Sequence, residues 1–289
     1  CYMGNTFINN SSYQGRLKEC TQLGAELLGD PSVDADAEMI SMVISCLKAA
    51  GLKEFQLSIG HADFFRGLME AAGLLEEQEE ELRELISNKN FFGVEEFVET
   101  LNLEENLKKL FGMLGNLYTG SDELSAAREC AASYPRILKA IGDLEELHKI
   151  LEVYEVSRYV SFELGTISNY QYYTGIIFAG YTFGSGEAIV KGGRYDRLLT
   201  YFGKDSASIG FAFVIDQLMA ALQRQKIDVP VERCVELMVY KPAKRQTAIA
   251  AARAAGRCVE LMLWDETKQR KDYEDYAARS RMTNVQFFA

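Results

Sequence analysis

Between Ala62 and about Tyr159 almost every segment repeats its apolar residues at helical spacing, while the chain on either side reads as strands. Ile137, Ile141, Leu144, Leu147 and Leu151 form one such apolar stripe. A block of this length between two strand-rich parts reads as a helical insertion. The stretch 76–105 is dense in carboxylates with few bases, the mark of a solvated helix face.

Upstream, "YMGNTFIN" and "KECTQLGAELLG" flank a turn-rich segment holding Asn9, Asn10, Ser11, Ser12 and Gly15, which predicts a hairpin with a long loop. Asp30 and Pro31 are expected to open a helix with Ala37, Ile40, Val43, Ile44 and Leu47 on its apolar face, ended by Gly51. "FQLSIG" then reads as a short strand. Downstream, "GIIFAGYTF" and "EAIVKGGRY" predict a second hairpin around Gly184–Gly186, and "SIGFAFVIDQLMAALQ" runs a strand into a helix. After "KIDVP" the pattern becomes βαβαβ, which implies a small domain with a parallel sheet. The expected divisions are 1–61, 62–159, 160–226 and 232–289.

Composition narrows the function. The 289 residues carry 48% hydrophobic and 25% charged side chains, an ordinary globular balance, and no apolar run approaches the length of a membrane span. The formal charge of −11 argues against a broad nucleic-acid surface. Six cysteines lie far apart without a C-x-x-C, and only two histidines are present, so neither a metal nor another cofactor is expected. Scattered cysteines in an acidic chain fit a reducing cytoplasm.

Chemistry concentrates in few places. "SNYQYYTGIIFAGY" packs tyrosines around an apolar run, with Tyr195 a little downstream; tyrosines also favour strands for packing alone. Gly192, Gly193, Arg194, Tyr195 and Asp196 form a compact polar cluster: either a glycine turn with a local Arg–Asp pair, or a glycine wall that a ligand approaches. Gln22 and Glu26 lie four residues apart on a predicted strand, so both face one side of a sheet, where they could receive an ammonium or imidazole or form an ordinary polar face. Glu187 has the same ambiguity. "GSGEA" has the glycines of a phosphate loop but no Lys and no following helix. His61 is expected to cap or pack, and His148 to be exposed; neither adjoins a nucleophile motif.

Taken together these landmarks resemble a known family. "YMGNTFINNSSYQGRLKECTQLGAELLG" is similar to motif 2 of class II aminoacyl-tRNA synthetases in its histidyl version. "SNYQYYTGIIF" resembles the histidine-binding peptide of histidyl-tRNA synthetase, and "GGRYDRLL" with "SIGFAFVIDQL" its last strands and motif 3. The resemblance covers about two-thirds of the chain in the right order. It implies an α+β fold, an antiparallel sheet flanked by helices with a helical insertion, and a C-terminal domain like the beginning of an anticodon-binding domain. It also implies a missing N-terminal segment bearing motif 1, which in this fold builds a self-dimer.

The departures bear on function. Where the synthetase motifs place arginines on ATP and the amino-acid carboxylate, this chain has Ile8, Ser168 and Gln217. Adenylate formation gathers negative charge at phosphorus, and positioned cations supply most of its stabilisation. By the resemblance, Gln22, Glu26, Tyr172, Tyr173 and Tyr195 still surround a histidine ligand, with Arg16, Glu187, Gly192, Gly193 and Arg194 as candidates to line the pocket. Keeping the amino-acid pocket without the ATP cations resembles the regulatory subunits of ATP phosphoribosyltransferase. These synthetase paralogues pair with a short-form catalytic subunit in the first step of histidine biosynthesis and take part in feedback by L-histidine. The implied protein is therefore a cytoplasmic, non-catalytic hetero-oligomer subunit with no catalytic residues of its own. The alternatives are a divergent histidyl-tRNA synthetase-like enzyme, betrayed by histidine-dependent ATP–pyrophosphate exchange, and a tRNA- or histidine-sensing module, betrayed by salt-dependent tRNA affinity.

Overall fold

The computed structural model describes residues 1–8, 18–167, 172–229 and 234–289. They divide into two compact units, Cys1–Asp228 and Val229–Ala289. In the first, β1 (Tyr2–Phe7) and β2 (Glu19–Leu28) precede helix α1 (Val33–Ala49) and strand β3 (Phe55–His61). Helices α2 (Ala62–Ala72), α3 (Glu76–Ser87), α4 (Phe91–Glu99) and α5 (Glu105–Gly112) follow, then the short strand β4 (Leu117–Tyr118), α6 (Ser125–Cys130) and α7 (Pro135–Val153). Strands β5 (Val160–Glu163), β6 (Ile176–Thr182), β7 (Val190–Arg194) and β8 (Ser208–Val214) lead into α8 (Ile215–Arg224).

These strands form one eight-stranded sheet in the order β1-β2-β8-β7-β6-β3-β5-β4. The two parts of the chain thus interleave: β8 returns to pair with β2, and β6 with β3. Among the described residues the ladders are antiparallel except for β5, which runs parallel to β3. The helical segment between those two strands is a crossover connection, which is what a parallel pair requires.

One face of the sheet is the core face. It presents Leu57 and Ile59 of β3, Phe178 of β6 and Ile209 and Phe211 of β8, all buried. Ile40, Val43, Ile44 and Leu47 of α1 and Ile137, Ile141, Leu144, Leu147 and Leu151 of α7 join them in the same core cluster. Each such side chain contributes about 1.5–3 kcal/mol when fully buried, so the periodic apolar stripes hold the layers together. No helix among the described residues is long and apolar enough to cross a membrane.

Two local expectations need correction. The helix expected to open at Asp30 and Pro31 begins at Val33, because Ser32 is its N-cap and accepts the Ala35 N–H at 3.3 Å. The Asp30 carboxylate already accepts the Ser32 N–H at 2.9 Å, which shapes the turn before the helix. His148, expected to be exposed among charged neighbours, is 7% exposed. It shares the buried stripe of α7 with Leu144, Leu147 and Leu151, its ring edge-on to Phe162 at 5.8 Å. The i+4 spacing from Leu144 puts it on the core side, which its polar type concealed. His61 caps α2: its Nδ1 accepts the Asp63 N–H at 3.2 Å while Nε2 lies 3.4 Å from Asp143.

The second unit holds β9 (Glu236–Tyr240), α9 (Arg245–Ala254), β10 (Val259–Leu263), α10 (Arg270–Arg279) and β11 (Asn284–Phe288). Its three strands are parallel in the order β10-β9-β11. Leu237, Val239, Tyr273 and Ala277 form its own core. The buried Glu236 carboxylate is held by Arg257 at 2.7 Å and Asn284 at 2.6 Å.

Candidate functional site

Strand alternation sends odd and even positions of β2 to opposite faces. Leu23, Ala25 and Leu27 pack toward the core, so Gln22, Gly24 and Glu26 share the other face. The register carries that face across the sheet: Glu26 is paired with Gly210 on β8, and Gly210 with Gly193 on β7. Glycines under this face make a bed on which side chains lie flat. A Cβ on Gly210 would collide with the Glu26 carboxylate, one on Gly24 would meet the Tyr2 ring at 2.7 Å, and one on Gly193 the Tyr173 ring at 2.8 Å. At the β3 end, Thr166 covers Gly60, whose added Cβ would lie 2.6 Å from it.

The polar centre is the pair of Glu26 and Tyr195, the phenol donating a short hydrogen bond to the carboxylate. Tyr172 lies tilted on Tyr173 with ring centroids 4.6 Å apart and edge-on to Tyr195 at 6.0 Å. Burial pushes the Glu26 carboxyl up from its ordinary value, against the lowering effect of the Tyr195 hydrogen bond. Burial, then the Glu26 hydrogen bond and charge, raise the Tyr195 phenol, which stays protonated and donating. Burial followed by the charge of Glu26 raises Tyr2 as well, which places that ring within the field of the site. An aromatic wall around one carboxylate receives a nitrogen cation or an N–H donor: the rings supply quadrupole and contact area, the carboxylate supplies charge.

The structure sorts the expected residues. Gln22, Glu26, Gly193 and Tyr195 belong to this face or its rim, with Tyr172 and Tyr173 stacked above it. Gly192 points the other way: a Cβ there would strike the core ring of Phe178 and the Gly210 carbonyl, both at 2.4 Å. Its glycine serves core packing, so it does not line the pocket. Arg194 shares the orientation of Gly192 and is 5% exposed. It donates through Nε to Asp36 at 2.9 Å and through its two other nitrogens to the carbonyls of Asp30 and Ser32 and the carboxylate of Asp196. The local Arg–Asp pair is thus real, with a second and more buried partner in α1.

That buried cluster positions the wall. Asp196 takes the Ser208 N–H at 3.0 Å and gives its own N–H to Thr174, two residues from Tyr172, and Thr174 N–H bonds the Arg194 carbonyl at 2.7 Å. Burial pushes the Asp36 carboxyl up to about 6, against the pull of the Arg194 guanidinium. Glu187 is exposed on the β6–β7 connection, at the end of β7 opposite Tyr195. Ile8 follows β1 and is exposed, and Gln217 lies in the first turn of α8. Arg16 and Ser168 lie outside the described residues. Tyr2, Gly24, Gly210 and Asp36 were not singled out from sequence. The period-2 alternation of β1 carried the signal for Tyr2, whereas Asp36 gave none.

Known proteins share the sequence and the fold of this chain. Residues 1–218 match the family described as histidyl-tRNA synthetase. Among curated relatives, the ATP phosphoribosyltransferase regulatory subunit of Acetivibrio thermocellus is 42% identical over 86% of this chain and 59% of its own length. That of Caldanaerobacter subterraneus is 36% identical over 87% of this chain and 66% of its own. The chain thus spans about half to two-thirds of the length of the curated relatives it matches. A Bacillus halodurans structure described as an ATP phosphoribosyltransferase regulatory subunit/histidyl-tRNA synthetase superposes with a TM-score of 0.74 and 31% identity, covering 99% of this chain and 72% of that one. Histidyl-tRNA synthetase from Nostoc, at 17% identity and a TM-score of 0.72 over 96% of this chain and 67% of that one, shares the fold. The interleaved sheet with its flanking helices is the class II aminoacyl-tRNA synthetase fold. The chain belongs to the histidyl-tRNA synthetase family and, within it, to the ATP phosphoribosyltransferase regulatory subunits.

Proposed function

We propose that this chain is a non-catalytic subunit that activates a short-form ATP phosphoribosyltransferase catalytic subunit in the first step of histidine biosynthesis and takes part in feedback inhibition by L-histidine. The observation that carries the reading is the Glu26–Tyr195 pair on its glycine bed, walled by Tyr2, Tyr172 and Tyr173, in a chain with Ile8 and Gln217 where synthetase motifs hold arginines. A pocket of this kind retains one ligand, and Ile8 and Gln217 leave it without two of the cations that adenylate formation draws on. Catalysis of phosphoribosyl transfer then resides in the partner, and a self-dimer in the cytoplasm completes the reading. Feedback follows if histidine binds one state of the assembly better than another. The division into a synthetase-like core in two parts, 1–61 and 160–226, around a helical insertion at 62–159, with a domain at 232–289, goes with it.

The test is phosphoribosyl-ATP formation by the catalytic subunit from the same source, with and without this protein at full length, repeated with added histidine. A large rise on mixing, suppressed by histidine, supports the reading. No rise with both proteins folded overturns it and favours the synthetase-like alternative, to be sought as histidine-dependent ATP–pyrophosphate exchange.

A further inference from the structure

Among the described residues of this sheet, Lys191 is a cation with neither a place in the core nor an ion pair. It sits on β7 between Val190 and Gly192, which face the core, so it projects from the face that carries Glu26. The register agrees: Lys191 is paired with Ala212 on β8, and Ala212 with Gly24 on β2. Its other cross-strand neighbour is Ala179 on β6. The lysine side chain therefore rises from a floor of small side chains, exposed, with no hydrogen bond or ion pair to another described residue. Among the described residues of β1, β2, β6, β7 and β8, this face holds one carboxylate, Glu26, and one cation, Lys191.

The spacing of the two charges matters. Two strand steps and two residues along the strand put their Cα atoms about 12 Å apart. Side chains rising from one sheet face at that separation can hold the two ends of a small dipolar molecule between them. Arg194, the next cation along the chain, is turned to the core and occupied by Asp36, so it cannot serve the same end. We propose that Lys191 binds the carboxylate of an amino-acid ligand whose nitrogen-bearing end is held by Glu26 and Tyr195. This rests on the reading of the pocket as a histidine site and names the residue that distinguishes the free amino acid from its decarboxylated relatives.

The experiment compares L-histidine with histamine, which lacks the carboxylate, by calorimetry on the wild-type chain, Lys191→Met and Lys191→Arg. Lys191→Met weakens L-histidine by about tenfold or more, the worth of one charge-assisted hydrogen bond, leaves histamine unchanged, and Lys191→Arg restores most of the loss. Unchanged L-histidine affinity in Lys191→Met, or an equal loss for both ligands, overturns the assignment while leaving the histidine pocket standing. Wild-type protein that binds neither ligand overturns the pocket reading and this assignment with it.

Discussion

Glu26 and Arg194 show how opposite environments set the work of a charged side chain. The folded protein raises the carboxyl of Glu26 by burial, so its proton is lost at a higher pH than in an unfolded chain. A cationic ligand needs the ionised form, and binding of histidine is expected to weaken on acidification at a pH above the ordinary carboxylate range. Glu26→Gln should lower affinity about tenfold to a hundredfold at neutral pH and flatten that pH dependence, both read by calorimetry. Stability moves the other way. A carboxyl whose folded pKa is raised adds stability below its unfolded value and loses it as pH rises through the folded one. Glu26→Gln should therefore match the wild type in acid and melt slightly higher at neutral pH, the gain kept small by solvent at this open face. Arg194→Met tests the buried cluster: it strands Asp36 and leaves the Asp30 and Ser32 carbonyls without their donor. Breaking a buried pair this way costs about 3–5 kcal/mol. In urea titrations the deficit should be largest above pH about 6, where Asp36 carries its charge, and shrink below it.

At the scale of the strand, glycines that look alike in sequence do different work. Gly4 has open space where a Cβ would go, whereas Gly192 faces the Phe178 ring and the Gly210 carbonyl. Gly4→Ala is expected to be nearly neutral, and Gly192→Ala to cost about 1–3 kcal/mol through overpacking, with ligand affinity little changed in either; denaturant titration and calorimetry separate the two effects. The "GGRYD" run was legible as a polar cluster, but its division between faces was not. Strand period assigns Gly193 and Lys191 to one side and Gly192 and Arg194 to the other only once β7 is known to reach Arg194 in register with β8. His148 was misjudged for a related reason: its position on the stripe of α7 outweighs its polarity.

The whole molecule joins parts that are far apart in sequence, and its two units each carry a core of their own. A chain ending at Asp228 is expected to melt cooperatively and keep the histidine affinity of the longer chain; loss of either in a thermal melt with added ligand would show that the pocket depends on residues 229–289. Hydrophobic period and turn chemistry alone determined the apolar stripes of α1 and α7, the two hairpins, the helical character of the segment between β3 and β5 and the shared face of Gln22 and Glu26, because those signals are local to the chain. The order of motifs carried the family. What only the tertiary structure decided is which strand lies beside which. Placing β8 between β2 and β7 brings Glu26, Gly210 and Gly193 into one row and sets Tyr195 against Glu26, 169 residues away in sequence. It also buries Arg194 on Asp36, 158 residues away. Neither pairing leaves a trace in the spacing of residues, since the first follows from strand order and the second from packing the sheet against α1, rather than from any segment's own preference.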